Sequence, residues 1–247
     1  MKKRIIIMCG FIILYFVIIL LFDFLDNTSK IVYIGDYTRV FVDNGIRVTN
    51  DGENCFNKKV KYYFNSNDYY GYMTSVGKIG TNDYHLEVIN NNGKIVKFNE
   101  DLIAYTPNLD IKLEKPEDMI LTSEDFKILT KFLNDNNYDS NIVSSYKNRI
   151  DLDNDGNLEE VYSICVGDNY NSLIIFKSED TITLIDSIIS DSDIDNSERD
   201  IMLYAFIDFD SDDKYEIVIR EDNGDNQPNY YNIYTYDGNT ITRVEEE

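Results

Sequence analysis

The sequence predicts a mainly β protein with an N-terminal transmembrane helix, a β-meander domain, one amphipathic helix and two four-stranded, propeller-blade-like repeats. Three observations predict this. An unbroken apolar run, Ile5–Phe22, opens the 247-residue chain behind Lys2-Lys3-Arg4. Short alternating apolar segments punctuated by Asn, Asp and Gly then continue to about residue 106. Finally, a nine-residue acidic pattern occurs twice, 57 residues apart, each time leading into a segment rich in Ile and Val.

The apolar run rises about 27 Å as a helix, close to the hydrocarbon thickness of a bilayer. Three cations before it keep residues 1–4 in the cytoplasm and place the chain beyond residue 25 outside. A cleavable signal peptide would end in a small-x-small site, whereas this run ends Leu20-Leu21-Phe22-Asp23-Phe24. Cys9 precedes most of the run and follows bulky Met8, which removes a lipoprotein reading. Residues 5–25 are therefore expected as an uncleaved signal anchor. Heavy use of Asn, Ile, Lys, Tyr and Asp is the bias of AT-rich codons, so the expected location is a bacterial cell membrane with the C-terminal part extracytoplasmic.

With 23 basic and 45 acidic residues the net charge is −22, which disfavours nucleic acid and anionic lipid surfaces as partners. Cys9 lies in the apolar run, and Cys55 and Cys165 follow no framework spacing; they are expected as two small buried side chains, with a Cys55–Cys165 disulfide as the alternative outside the cell.

Residues 26–106 read as an extracytoplasmic β domain. Arg39–Val42 and Ile46–Thr49 flank Asp43-Asn44-Gly45, a strong hairpin signal. Lys59–Phe64 pairs with Tyr69–Ser75, and Tyr84–Ile89 with Lys94–Phe98. Asp83, His85 and Glu87 fall on one wet face of their strand, where an exposed polar row is the simpler reading than a metal site. With a single histidine, no nucleophile–base pair can be assembled. The tyrosines of this region are expected in cross-strand packing rather than as a sugar platform.

Residues 107–121, bracketed by Pro107 and Pro116, are expected as a linker. Thr122-Ser-Glu-Asp125 is a capping box, and Phe126, Ile128, Leu129, Phe132 and Leu133 form an apolar helical stripe ended by Asn134–Asn137. The last region, 122–247, comprises this helix and the two repeats.

The first acidic loop is Asp151-Leu-Asp153-Asn-Asp155-Gly156-Asn157-Leu-Glu159. Alternating acids on a tight loop can converge on one hard cation such as Ca²⁺, which takes six to eight oxygens. Gly156 supplies a positive φ after the third acid. The second loop reads Asp208-Phe-Asp210-Ser-Asp212-Asp213-Lys214-Tyr-Glu216, with Asp213 at the glycine position. An EF-hand is excluded: its twelfth position is Tyr162 or Ile219, and the flanks are β-rich. Asp191, Asp193 and Asp195 also alternate, but Arg199 stands where the closing acid belongs.

These loops resemble those of the FG-GAP/VCBS (integrin-alpha-like) calcium-binding repeat family, over residues 142–247. The resemblance implies blade-like units and Ca²⁺ held by Asp151, Asp153, Asp155, the Asn157 main chain and Glu159. In the second copy the implied ligands are Asp208, Asp210, Asp212, the Lys214 main chain and Glu216. Asp213 in place of glycine, and only two repeats, depart from the family's pattern. The expected function is a non-enzymatic cell-surface binding or structural module, partnered by a cell-envelope protein or polysaccharide. An accessory part of an envelope enzyme or transporter assembly is the alternative.

Overall fold

A computed structural model describes residues 30–35, 38–50, 59–64, 67–78, 84–98, 103–179, 181–189, 199–223 and 229–246. It is mainly β, with seventeen strands and one helix among these residues and with no sheet closed on itself. The expected anchor, Asp83, Cys55 and the Asp191–Asp195 acids lie outside the described residues. No described helix is long and apolar enough to cross a membrane.

The N-terminal sheet has eight strands: β1 (Ile31–Ile34), β2 (Thr38–Phe41), β3 (Arg47–Thr49), β4 (Lys59–Phe64), β5 (Asn67–Lys78), β6 (Tyr84–Asn90), β7 (Ile95–Phe98) and β8 (Ile103–Tyr105). Their spatial order is β3-β2-β1-β8-β4-β5-β6-β7, with every pair antiparallel. This corrects the expected simple meander. The hairpins form as their Asn-Gly turns dictate, with Asn44 and Gly45 both at positive φ, but β8 returns to join β1 to β4. Ile103, Ala104 and Tyr105 are all buried, so β8 has no polar alternation by which to be recognised.

The expected linker is also structured. Leu109 and Ile111 are buried in the main core, and β9 (Lys112–Glu114) pairs with β14 (Asp200–Asp208). Residues 107–121 thus form a strap across the body, because their apolar positions have a sheet edge to complete.

Helix α1 (Ser123–Asp135) begins at the capping box: Asp125 N–H donates to Thr122 Oγ1 at 3.3 Å, and Thr122 N–H donates to Asp125 Oδ2 at 2.7 Å. Leu129, Phe132 and Leu133 pack on Tyr162, Ile164, Leu173 and Ile175, while Phe126 faces solvent. Asp125 itself is buried. Its carboxylate accepts from Lys147 Nζ at 2.8 Å and Tyr162 Oη at 2.9 Å, and Lys147 and Lys177 both reach Glu160.

The two repeats are antiparallel four-stranded meanders of matching order. The first contains β10 (Ile142–Ile150), β11 (Glu159–Val166), β12 (Asn171–Ser178) and β13 (Thr181–Ile188). The second contains β14, β15 (Glu216–Asp222), β16 (Tyr230–Tyr236) and β17 (Ile241–Arg243), extended by β9. The layers run α1, first meander, second meander, N-terminal sheet. Ile174 and Phe176 meet Ile217 and Ile219 between the meanders, while Val218 and Ile233 meet Val32 and Tyr105 beyond. The second meander is therefore buried on both faces, which is why Ile217-Val218-Ile219 lacks alternation.

Candidate metal centres

Each acidic loop is a strand-to-strand turn, β10–β11 and β14–β15, and the two share a hydrogen-bond scaffold. Asp151 accepts from the Asp155 and Gly156 amides at 3.1 and 2.9 Å; Asp208 accepts from those of Asp212 and Asp213, both at 3.1 Å. The Asn157 amide donates to Asp155 Oδ1 at 2.7 Å, and the Lys214 amide to Asp212 Oδ1 at 3.0 Å. Glu159 accepts from Leu152 N–H at 2.9 Å, and Glu216 from Phe209 N–H at 3.2 Å. Leu152 and Phe209 are fully buried plugs, each contributing about 1.5–3 kcal/mol over exposure.

Backbone conformation repeats too. Gly156 and Asp213 have φ of 91° and 68°, so Asp213 does adopt the conformation expected at the glycine position. Asn154 and Ser211, at φ 61° and 64°, share a second left-handed position that the acid spacing did not signal.

Three of the expected ligands come together in each loop. Carboxylate oxygens of Asp151, Asp153 and Glu159 lie within 4.8 Å of one another in the first loop, and those of Asp208, Asp210 and Asp212 in the second. Asp155 accepts from Asn157 Nδ2 at 3.0 Å, and Glu216 accepts from the Phe209 amide as Glu159 does from that of Leu152. Asn157 and Lys214 enter the scaffold through their amides.

Two features fit a hard cation at the first loop. Asp153 Oδ1 is a buried oxygen with no hydrogen-bond partner, and the converging groups are all carboxylates. Burial raises Glu159 above the usual carboxylate range against the pull of the Leu152 amide, and Asp153 and Asp155 raise it further. Glu216 is pushed up to about 8, chiefly by burial, with the charges of Asp210, Asp212 and Asp208 adding to it.

The loops differ in their neighbours. The first lies against the β16–β17 turn, where a Cβ added at Gly238 would stand 3.0 Å from Asp153 Oδ2. The second lies against the strap: Lys112 Nζ donates to Asp213 and sits 4.0 Å from Asp208, while Ser211 Oγ donates to the Asp110 carbonyl at 2.6 Å. Nothing in the sequence spacing pointed to Lys112, 101 residues from its partner.

No protein-family model, curated protein or solved structure matches this chain.

Proposed function

We propose that the chain is a membrane-anchored, extracytoplasmic calcium-binding β-repeat protein, acting as a cell-surface binding or structural module. The observation that carries the cation reading is the pair of loops with one hydrogen-bond scaffold, each gathering three carboxylates. Mutual repulsion among those groups disfavours the folded loop until a divalent ion screens it. Calcium supplied outside the cell would meet affinities of roughly 10⁻⁴–10⁻³ M, typical of extracellular modules. The matching meanders, stacked rather than closed into a ring, support blade-like units joined as a sandwich. The Ile5–Phe22 run and its preceding cations support the anchor and its orientation.

Isothermal titration of the full chain with CaCl₂ and then MgCl₂ tests the cation reading. The expected result is heat from calcium in the millimolar range or below, and a weaker magnesium response because magnesium demands a tighter octahedron. No calcium heat at any concentration up to tens of millimolar would contradict it. Pull-down from solubilised membranes separates a surface module from an accessory subunit of an envelope assembly.

A further inference from the structure

A cavity of about 300 Å³ opens where the strap crosses between the N-terminal sheet and β14. Tyr63, Ile103, Leu113, Leu203 and Ala205 form its apolar walls. Its volume is at the lower end of small-molecule sites, and its place between packed sheets is a common one for them.

The cavity coincides with an irregularity of the second meander. Pairing of β14 with β15 passes from Leu203–Ile219 to Ala205–Val218, leaving Tyr204 as a bulged extra residue. Over the corresponding length of the first meander, β10 pairs with β11 without interruption from Ser144 to Ile150. The irregularity of that hairpin falls instead between Ile142 and Ser144, so the two units differ in where the strand is bulged, and only the second is bulged at this position. Bulges re-aim side chains beside binding sites, and here the Tyr204 ring is held edge-on to Tyr231 at 4.9 Å.

Two cations line the same space. Arg220 lies directly opposite Met202 on the neighbouring strand, with its side chain only 12% exposed and its guanidinium held by Asp222 at 3.0 Å. Lys115 approaches from the strap, and exposed Asp118 stands further along it. Residues 107–247 hold eleven basic and thirty-four acidic side chains, so two cations and a single acid, Asp118, around one cavity run against the local composition. A planar guanidinium fixed by a neighbouring acid is pre-organised for a carboxylate.

We propose that this cavity binds a small amphipathic carboxylate, its apolar or aromatic body against Tyr63, Leu113 and Leu203 and its acid group toward Arg220 and Lys115. This site is separate from the acidic loops and independent of what they bind.

The test uses the full chain in lipid nanodiscs, with empty discs as the blank, and three probes of one skeleton: 4-phenylbutyrate, 4-phenylbutanol and 4-phenylbutylamine. Saturation-transfer NMR should show saturable binding of the carboxylate. The alcohol and amine should bind at least about tenfold more weakly, the loss expected on removing one charge-assisted contact. Arg220→Gln should remove that preference, while Met202→Trp, made at a partly exposed rim position, should block all three probes. Melting curves of both variants establish that they remain folded. No carboxylate binding above the blank, equal binding of acid and alcohol, or carboxylate binding unchanged in both folded variants would overturn the proposal.

Discussion

The Tyr215 amide donates to the Leu152 carbonyl at 2.8 Å, joining the second acidic loop to the first by a main-chain hydrogen bond. Leu152 is the buried plug of the first loop, and its own amide donates to Glu159. A disturbance at one loop is thereby transmitted to backbone that orders the other. Asp153→Asn and Asp210→Asn should not act additively on stability. A double-mutant cycle measured by urea unfolding in millimolar calcium should give an interaction of about 0.5–3 kcal/mol, the range for residues in one network. Additivity within about 0.3 kcal/mol would mean the loops are independent.

The β16–β17 turn leans on the first loop. Gly238 has φ of 90°, and an added Cβ would press on Asp153. Gly238→Ala should destabilise by about 1 kcal/mol or more and weaken the calcium response of the first loop specifically. Gly45→Ala, at φ 107° with open space around it, serves as the control for backbone strain alone.

The buried cluster beneath α1 sets acid stability. Burial alone would raise Asp125, but bonds from Lys147, Thr122 and Tyr162 hold it well below the usual carboxylate range; Glu160 is likewise lowered, against its burial, by Lys177 and Tyr162. Both groups therefore stabilise the fold above their unfolded values near pH 4, and that stability is lost as pH falls through their depressed values. Lys147→Met leaves Asp125 without its buried cation, while Glu160 keeps Lys177, and should cost about 3–5 kcal/mol at neutral pH. The cost should shrink as Asp125 protonates, which urea unfolding between about pH 3 and 7 would reveal.

Glu216 acts with the opposite sign. Its pKa is pushed up to about 8, so folding of the calcium-free protein is most favourable below its unfolded value near pH 4.5. That contribution is lost as pH rises toward about 8. In chelator, melting temperature should fall across this interval, and Glu216→Gln should flatten the decline.

Much of this architecture was legible because local patterns carried it. Asn44-Gly45 marked its hairpin, and Thr122 and Asp125 marked the start of α1. The repeat of acids located both loops, and Asp213 kept the glycine's conformation. Elements defined by distant partners were hidden. β8 and β9 are three residues each, too short for a period, and gain their structure from β1, β4 and β14. Asp125 read as a cap only, since Lys147 and Tyr162 reach it from 22 and 37 residues away.

A cation site and an ordinary acidic turn differ in whether calcium stabilises the fold. The most direct measurement is the melting temperature of the full chain in chelator and in millimolar calcium, for wild type, Asp153→Asn and Asp210→Asn. Preferential binding to the native state stabilises as RT ln(1 + [L]/Kd), about 2.7 kcal/mol at a hundredfold excess over Kd. Calcium should raise the wild-type melting temperature by several degrees, magnesium should do less, and each variant should lose part of the rise. Identical wild-type melting in chelator and in millimolar calcium would contradict it.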